Sequence, residues 1–195
     1  RLRIDVTGRS EGEADKIIAG IEKKIRSRIG EFIFGENDEL LEEAVGNLFR
    51  NKGMTLSTAE SCTGGLLSAR ITDVAGSSDY YKGGVCAYSN EIKSDFLCVK
   101  DKTLEEYGAV SEETAKEMAE GIRKKFGTSA GISVTGIAGP GGGTETKPVG
   151  LTYIGYSDDR KCYALKFNFG DNRERNRIRA VQASLNILRK ELTGK

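Results

Sequence analysis

Residues 54–65 read Met54-Thr55-Leu56-Ser57-Thr58-Ala59-Glu60-Ser61-Cys62-Thr63-Gly64-Gly65. A β-forming run, Met54 to Ala59, meets a small polar cluster, and a helical pattern from Thr63 to Val74 follows at once. Such a strand-to-helix corner belongs to layered α/β folds, whose ligand sites collect beyond the C-terminal ends of the strands. Ser61 stands on that corner beside a helix N-terminus, whose unpaired N–H groups can stabilise an oxyanion or bind a phosphate. Gly64 and Gly65 let a ligand approach the backbone closely. A Ser61 or Thr63 that only caps the helix fits the local pattern as well.

Outward from this corner, strands and helices alternate. Upstream, Leu40, Leu41, Ala44, Val45, Leu48 and Phe49 form an amphipathic helix ending at Gly53. Downstream, Gly84–Tyr88 reads as a strand, with Asn90 as the cap of a short helix through Phe96. Ser111 opens a helix with Glu112 and Glu113 in its first turn and Gly127 after its end. Ala130–Thr135 is an apolar strand, Leu151–Tyr156 and Tyr163–Phe169 pair around a turn near Ser157–Asp159, and a basic helix runs from about Arg173 to Glu191. The pattern predicts an α/β layered fold with a mixed sheet.

Residues 1–34 read differently. Leu2, Ile4 and Val6 alternate with charged residues as in a half-buried strand, Ser10 and Glu13 signal a capping box, and Ile17, Ile18, Ile21, Ile25 and Ile29 recur at helical spacing. With Phe32–Phe34 as a second strand, this is a small β-α-β appendage. The first thirty residues hold eight basic and five acidic side chains, net +3, which fits a solvated helix face or a contact with nucleic acid. The chain opens at Arg1 in mid-strand, the pattern of a fragment or processed product.

Composition narrows the chemistry. Of 195 residues, 37% are hydrophobic and 30% charged, a globular balance, and the net charge of +1 supplies no general attraction to nucleic acid or anionic membranes. No apolar run reaches the length of a membrane span. Four dispersed cysteines, Cys62, Cys86, Cys98 and Cys162, form no C-x-x-C pair and fit reduced thiols of a cytoplasmic protein. There is no histidine, so no Ser-His-Asp or Cys-His mechanism can be contained in this chain, and the common zinc sites are missing too. A hydrolase built here needs Lys, Tyr, Asp or Glu as its base.

Three further segments could carry chemistry. In Tyr88-Ser89-Asn90-Glu91-Ile92-Lys93, an Asn90 cap puts Lys93 in a helix first turn, where the dipole and desolvation both lower an amine's pKa. A part-time neutral lysine can take a serine proton; taken alone, the segment fits an ordinary surface lysine better. Thr135-Gly136-Ile137-Ala138-Gly139-Pro140-Gly141-Gly142-Gly143 is glycine-rich without being a Walker A or a G-x-G-x-x-G sequence, and suits either an anion site or a lid. Gly170-Asp171-Asn172-Arg173 sets Arg173 at a helix start, where it can clamp a phosphate; with Arg175, Arg177 and Arg179 it also fits a solvated basic face.

Together these segments resemble one family, the CinA C-terminal domain. The resemblance runs through Thr58–Gly65, Val74-Ala75-Gly76-Ser77-Ser78, Tyr88-Ser89-Asn90-Glu91 with Lys93, Gly108-Ala109-Val110-Ser111, Thr135–Pro140, Lys147-Pro148-Val149-Gly150 and Gly170-Asp171, covering about residues 36–192. Residues 1–35 resemble the tail of the KH-like module preceding this domain in longer CinA proteins, without the KH Gly-x-x-Gly loop, so nucleic acid is not an expected partner. The resemblance implies a three-layer α/β/α sandwich over residues 36–195, a homo-oligomer, and a nicotinamide-nucleotide amidase that turns nicotinamide mononucleotide and water into nicotinate mononucleotide and ammonia with no metal or cofactor. It implies Ser61 as nucleophile, Lys93 as base and Tyr88 as its assistant. Thr63, Gly64, Gly65, Ser78, Thr135, Gly136, Gly139 and Arg173 then fall on substrate-binding or supporting positions. The family usually runs Gly-Asp-Arg, and here Asn172 is inserted before Arg173. A non-catalytic nucleotide-binding or competence-related interaction module is the alternative.

Overall fold

The computed structural model describes residues 2–194. The chain divides into two units, one ending at Asp38 and one spanning Glu39–Gly194.

In the first unit, helix α1 (Glu11–Ile29) forms where the isoleucine spacing predicts it, and the Ser10 side chain accepts the Glu13 N–H as its N-cap. The two flanking strands do not form: residues 2–9 and 33–35 are irregular, and Gly30–Phe32 is a 3-10 turn. Alternation alone makes no strand, because strand N–H and C=O groups need a neighbouring ladder. The β-α-β expectation therefore reduces to a helix, which buries none of its residues.

The second unit is built on a five-stranded sheet of order β2-β1-β3-β4-β5. Strands β1 (Leu56–Glu60), β2 (Tyr81–Cys86) and β3 (Ala130–Gly136) are parallel; β4 (Leu151–Ser157) and β5 (Cys162–Asn168) run antiparallel. Helices α2 (Leu41–Lys52), α3 (Leu66–Thr72) and α7 (Arg173–Thr193) share one core with the sheet through Val45, Phe49, Leu67, Ile71, Ile132, Ile154 and Leu188. The opposite face carries Ala59, Leu97, Val99, Met118 and Ile122, contributed by β1, the segment after α4 (Asn90–Asp95) and α6 (Glu112–Phe126), with Leu104 of α5 (Asp101–Tyr107) packed against them. This is the expected three-layer α/β/α sandwich with a mixed sheet.

Caps explain several boundaries. Gly53 and Gly127 end α2 and α6 in the left-handed conformation, and the Ser111 hydroxyl accepts the Thr114 N–H at the start of α6. Helix α6 lies so close to the sheet that a Cβ at Gly155 would stand 2.2 Å from the Ala115 carbonyl oxygen, and one at Gly131 2.3 Å from that of Ala119. Only glycine admits that approach.

Chain direction fixes where a site can form. From β1 the chain passes through α3 to β2 on one side of β1, then through α4–α6 to β3 on the other side. The helices leave on opposite faces of the sheet, so a crevice opens beyond the C-terminal end of β1, where Ser61 stands.

Candidate active site

The corner holding Ser61 is fixed from both sides. The Ser61 N–H donates to Val134 O of β3 at 2.8 Å, and the Gly64 N–H closes a turn onto Ser61 O at 3.1 Å. Gly64 and Gly65 have φ of 58° and 89°, the left-handed region that makes glycine the suitable residue at both. Gly65 offers no side-chain cap to α3. The buried Glu60 carboxylate does so instead, accepting Leu67 N–H at 3.0 Å and Ser68 N–H at 2.8 Å. Among the described residues, the backbone N–H groups of Thr63 and Gly65 donate no hydrogen bond, so the turn that follows Ser61 holds unspent donors.

Lys93 is 1% exposed. Its Nζ lies 3.3 Å from Ser61 Oγ and donates to Ala87 O at 2.8 Å, Tyr88 O at 3.3 Å and Ser89 O at 3.4 Å. Burial holds its pKa below the ordinary lysine value, against opposing contributions from Cys62 and Glu91, and no carboxylate forms an ion pair with it among the described residues. The capping residue, however, differs from the expected one. Ser89, not Asn90, caps α4, through the Ile92 N–H, and the amine folds back toward three carbonyls. Desolvation, one of the two expected causes, weakens the ammonium form. Cys62, adjacent to Ser61, is pushed up to about 11 by burial, so its thiol is protonated near neutral pH.

Helix α7 binds the remaining loops together. Asn172, the inserted residue, is its N-cap and accepts the Arg175 N–H at 2.9 Å. Arg173 donates to Gly139 O at 2.8 Å, Asn176 to Ala138 O at 3.0 Å and Gly170 O at 2.9 Å, and Arg177 to Thr63 O at 2.7 Å. The glycine-rich loop and the Ser61 corner are thus pinned to one helix. Thr135 is buried at the end of β3, one residue past the Glu60 partner Val134, and its hydroxyl donates to Ala109 O at 2.7 Å. Gly136 follows it, packed so tightly on β4 that a Cβ would stand 2.7 Å from Thr152 Oγ1.

Ser61, Lys93, Thr63, Gly64, Gly65, Thr135, Gly136, Gly139 and Arg173 therefore gather at one end of the sheet. Of the two remaining expected residues, Tyr88 stands at the same end without a side-chain hydrogen bond to Lys93, and Ser78 does not join them. The Tyr88 side chain is 65% exposed and makes no hydrogen bond among the described residues; only its carbonyl touches Lys93. Ser78 is exposed in the 3-10 turn Ser77–Asp79 before β2. Because Leu56 pairs with Tyr81 and Glu60 with Cys86, Ser78 lies at the N-terminal end of the parallel strands, roughly 15 Å or more from Ser61 at about 3.3 Å per residue. Sequence reasoning in turn missed Glu60, Asn176 and Arg177. The first lies inside the Ser61 corner and its burial was the missing signal; the other two looked like the polar face of a basic helix.

Among the described residues, no group of three or more Cys, Asp or Glu side chains could hold a metal ion, and no helix is long and apolar enough to cross a membrane.

Comparison with known proteins agrees with this architecture. Residues 38–192 match the CinA C-terminal domain family. A CinA-like protein of Kosmotoga olearia is 50% identical over 191 residues, 98% of this chain and 46% of the relative, so the chain spans about half the length of that protein. Among solved structures, the competence/damage inducible protein CihA of Agrobacterium tumefaciens superposes with a TM-score of 0.76 at 37% identity, covering 83% of this chain and 98% of that one. A CinA superfamily protein of Klebsiella pneumoniae gives 0.77 at 31% identity, covering 82% and 100%. The chain belongs to the CinA C-terminal domain family.

Proposed function

We propose that this chain is a nicotinamide-nucleotide amidase that hydrolyses the carboxamide of nicotinamide mononucleotide to nicotinate mononucleotide and ammonia, with Ser61 as nucleophile and Lys93 as base. One observation carries the reading: a buried lysine amine with no carboxylate partner lies 3.3 Å from the hydroxyl of a serine at a strand-to-helix corner. In a chain without histidine, it is the base at hand.

The chemistry follows from the arrangement. Neutral Lys93 accepts the Ser61 proton as Oγ attacks the carboxamide carbon. The resulting oxyanion is served by the N–H groups of Thr63 and Gly65, which spend no other hydrogen bond. The Lys93 ammonium, steadied by the carbonyls of Ala87, Tyr88 and Ser89, then protonates the leaving nitrogen, and ammonia departs. Lys93, neutral again, takes a proton from the water that attacks the acyl carbon and returns it to Ser61 Oγ as the ester bond breaks, which frees Ser61 and nicotinate mononucleotide. The gap of 3.3 Å at rest needs to close by only a few tenths of an ångström to reach a strong hydrogen bond, as is common before substrate binds.

Ammonia release from nicotinamide mononucleotide by the full chain tests this. Ser61→Ala and Lys93→Ala are each expected to lower turnover by roughly 10³-fold or more, with little further loss in the double variant. Binding without turnover in the wild type, or activity retained in Lys93→Ala, contradicts it.

A further inference from the structure

We propose that Arg177 recognises the phosphate monoester of the substrate and so separates nucleotide from nucleoside; this rests on the amidase reading above.

Arg177 is half-buried and anchored by one hydrogen bond. One of its terminal nitrogens donates to Thr63 O at 2.7 Å and lies 3.7 Å from where a Cβ of Gly64 would stand. A guanidinium has five N–H donors in a fixed fork, and this is the one bond Arg177 makes among the described residues. Neither Arg177 nor Arg173 forms an ion pair among them. The two stand four residues apart on one face of α7, each tied to a backbone carbonyl of a site loop. Two like charges at that spacing oppose each other, and fastening them to carbonyls rather than to carboxylates leaves their charge uncancelled. That charge reaches the nucleophile's neighbour: both arginines act against the burial that raises the Cys62 thiol.

The placement is compatible with a mononucleotide. Thr63 is two residues beyond Ser61, so its carbonyl lies at most about 7 Å along the chain from the corner, and an Arg177 guanidinium nitrogen lies 2.7 Å from that carbonyl. A carboxamide held at Ser61 has the pyridine ring and ribose to bridge toward a phosphate there. Of the two arginines, Arg177 is the less exposed, so its pairing with a dianion is less screened by salt, and the planar fork matches phosphate geometry.

The test compares nicotinamide mononucleotide with nicotinamide riboside, which presents the same carboxamide without phosphate, in wild type, Arg177→Gln and Arg177→Lys. Arg177→Gln is expected to lower kcat/KM for the nucleotide roughly 10- to 100-fold and for the riboside by less than about threefold. Arg177→Lys, which keeps charge and reach, falls between. Calorimetric binding of ribose 5-phosphate supplies a second readout that needs no turnover, and Arg177→Gln should weaken it by a similar factor. Equal losses on both amides would reduce Arg177 to a support of the Thr63 loop, and no loss on either, or ribose 5-phosphate binding indifferent to Arg177, also overturns the proposal. A wild type that releases no ammonia yet binds ribose 5-phosphate through Arg177 sinks the amidase reading alone.

Discussion

The Glu60 carboxylate holds Ser68 twice, accepting its N–H at 2.8 Å and its hydroxyl at 2.6 Å on the same oxygen. The residue before the proposed nucleophile thereby grips the first turn of the helix after it, and the corner bearing Ser61 is clamped at both ends. A buried carboxylate facing a helix N-terminus is both capped and favoured by the dipole. Glu60→Gln keeps the shape and loses the charge and one acceptor. It is expected to lower kcat by roughly 10-fold or more with little change in KM, since a nucleophile displaced by a fraction of an ångström reacts slowly. Steady-state kinetics check this; an unchanged kcat would mean that Ser61 does not depend on the clamp.

Burial of Lys93 also makes a prediction about stability. Its pKa is lower folded than unfolded, so between the two values the unfolded chain binds the extra proton and stability rises with pH. The destabilisation is complete below the folded pKa and gone above the ordinary lysine value of about 10.4. Lys93→Met removes this dependence. The Tm of the variant minus that of wild type should therefore fall as pH is raised from about 7 toward 10. A difference that is flat with pH contradicts the shift.

Cys62 is adjacent to Ser61 and nucleophilic in principle, but its thiol is held near a pKa of about 11. Alkylation near neutral pH should mark the exposed Cys86, Cys98 and Cys162 and spare Cys62, read by mass spectrometry of peptides. Cys62→Ser should keep activity within an order of magnitude while costing about 1–3 kcal/mol of stability for the buried hydroxyl. Complete loss of turnover in a folded Cys62→Ser protein would move the nucleophile to the thiol.

The close seating of α6 is testable through Gly155. A Cβ there would meet Ala115 O at 2.2 Å and Ser133 Oγ at 2.5 Å, and the first is helix backbone that cannot rotate away. Gly155→Ala is expected to cost about 1–3 kcal/mol, seen as a lower denaturation midpoint. No loss would mean that the helix rides farther from the sheet.

What was legible in the sequence is mostly what is local. Ser111 and Gly127 bracket α6 and Gly53 ends α2 because caps and periodicity lie within a few residues of what they control. Short α5 carries too little apolar repeat to announce itself. The segments at 2–6 and 32–34 carry strand patterns yet form no ladder, because pairing is a property of neighbours. The site divides the same way. The Ser61 corner could be read from its glycines, and Lys93 by the absence of histidine together with the family resemblance. The Arg177–Thr63 bond joins residues 114 apart, and a helix dense in arginine gives no local sign of which one turns inward. Ser78 shows the reverse: a motif position near the corner in sequence that the parallel strand carries to the far end of the sheet.

The central claim is that neutral Lys93 takes the Ser61 proton. The pH dependence of kcat/KM for ammonia release tests it most directly, read beside the titration of the Lys93 side chain by NMR. Because burial lowers this pKa and only the neutral amine accepts a proton, activity should rise with pH along a limb whose midpoint lies below the ordinary lysine value of about 10.4 and coincides with the Lys93 titration. A limb that is absent, or whose midpoint differs from the titration of Lys93, would contradict the account.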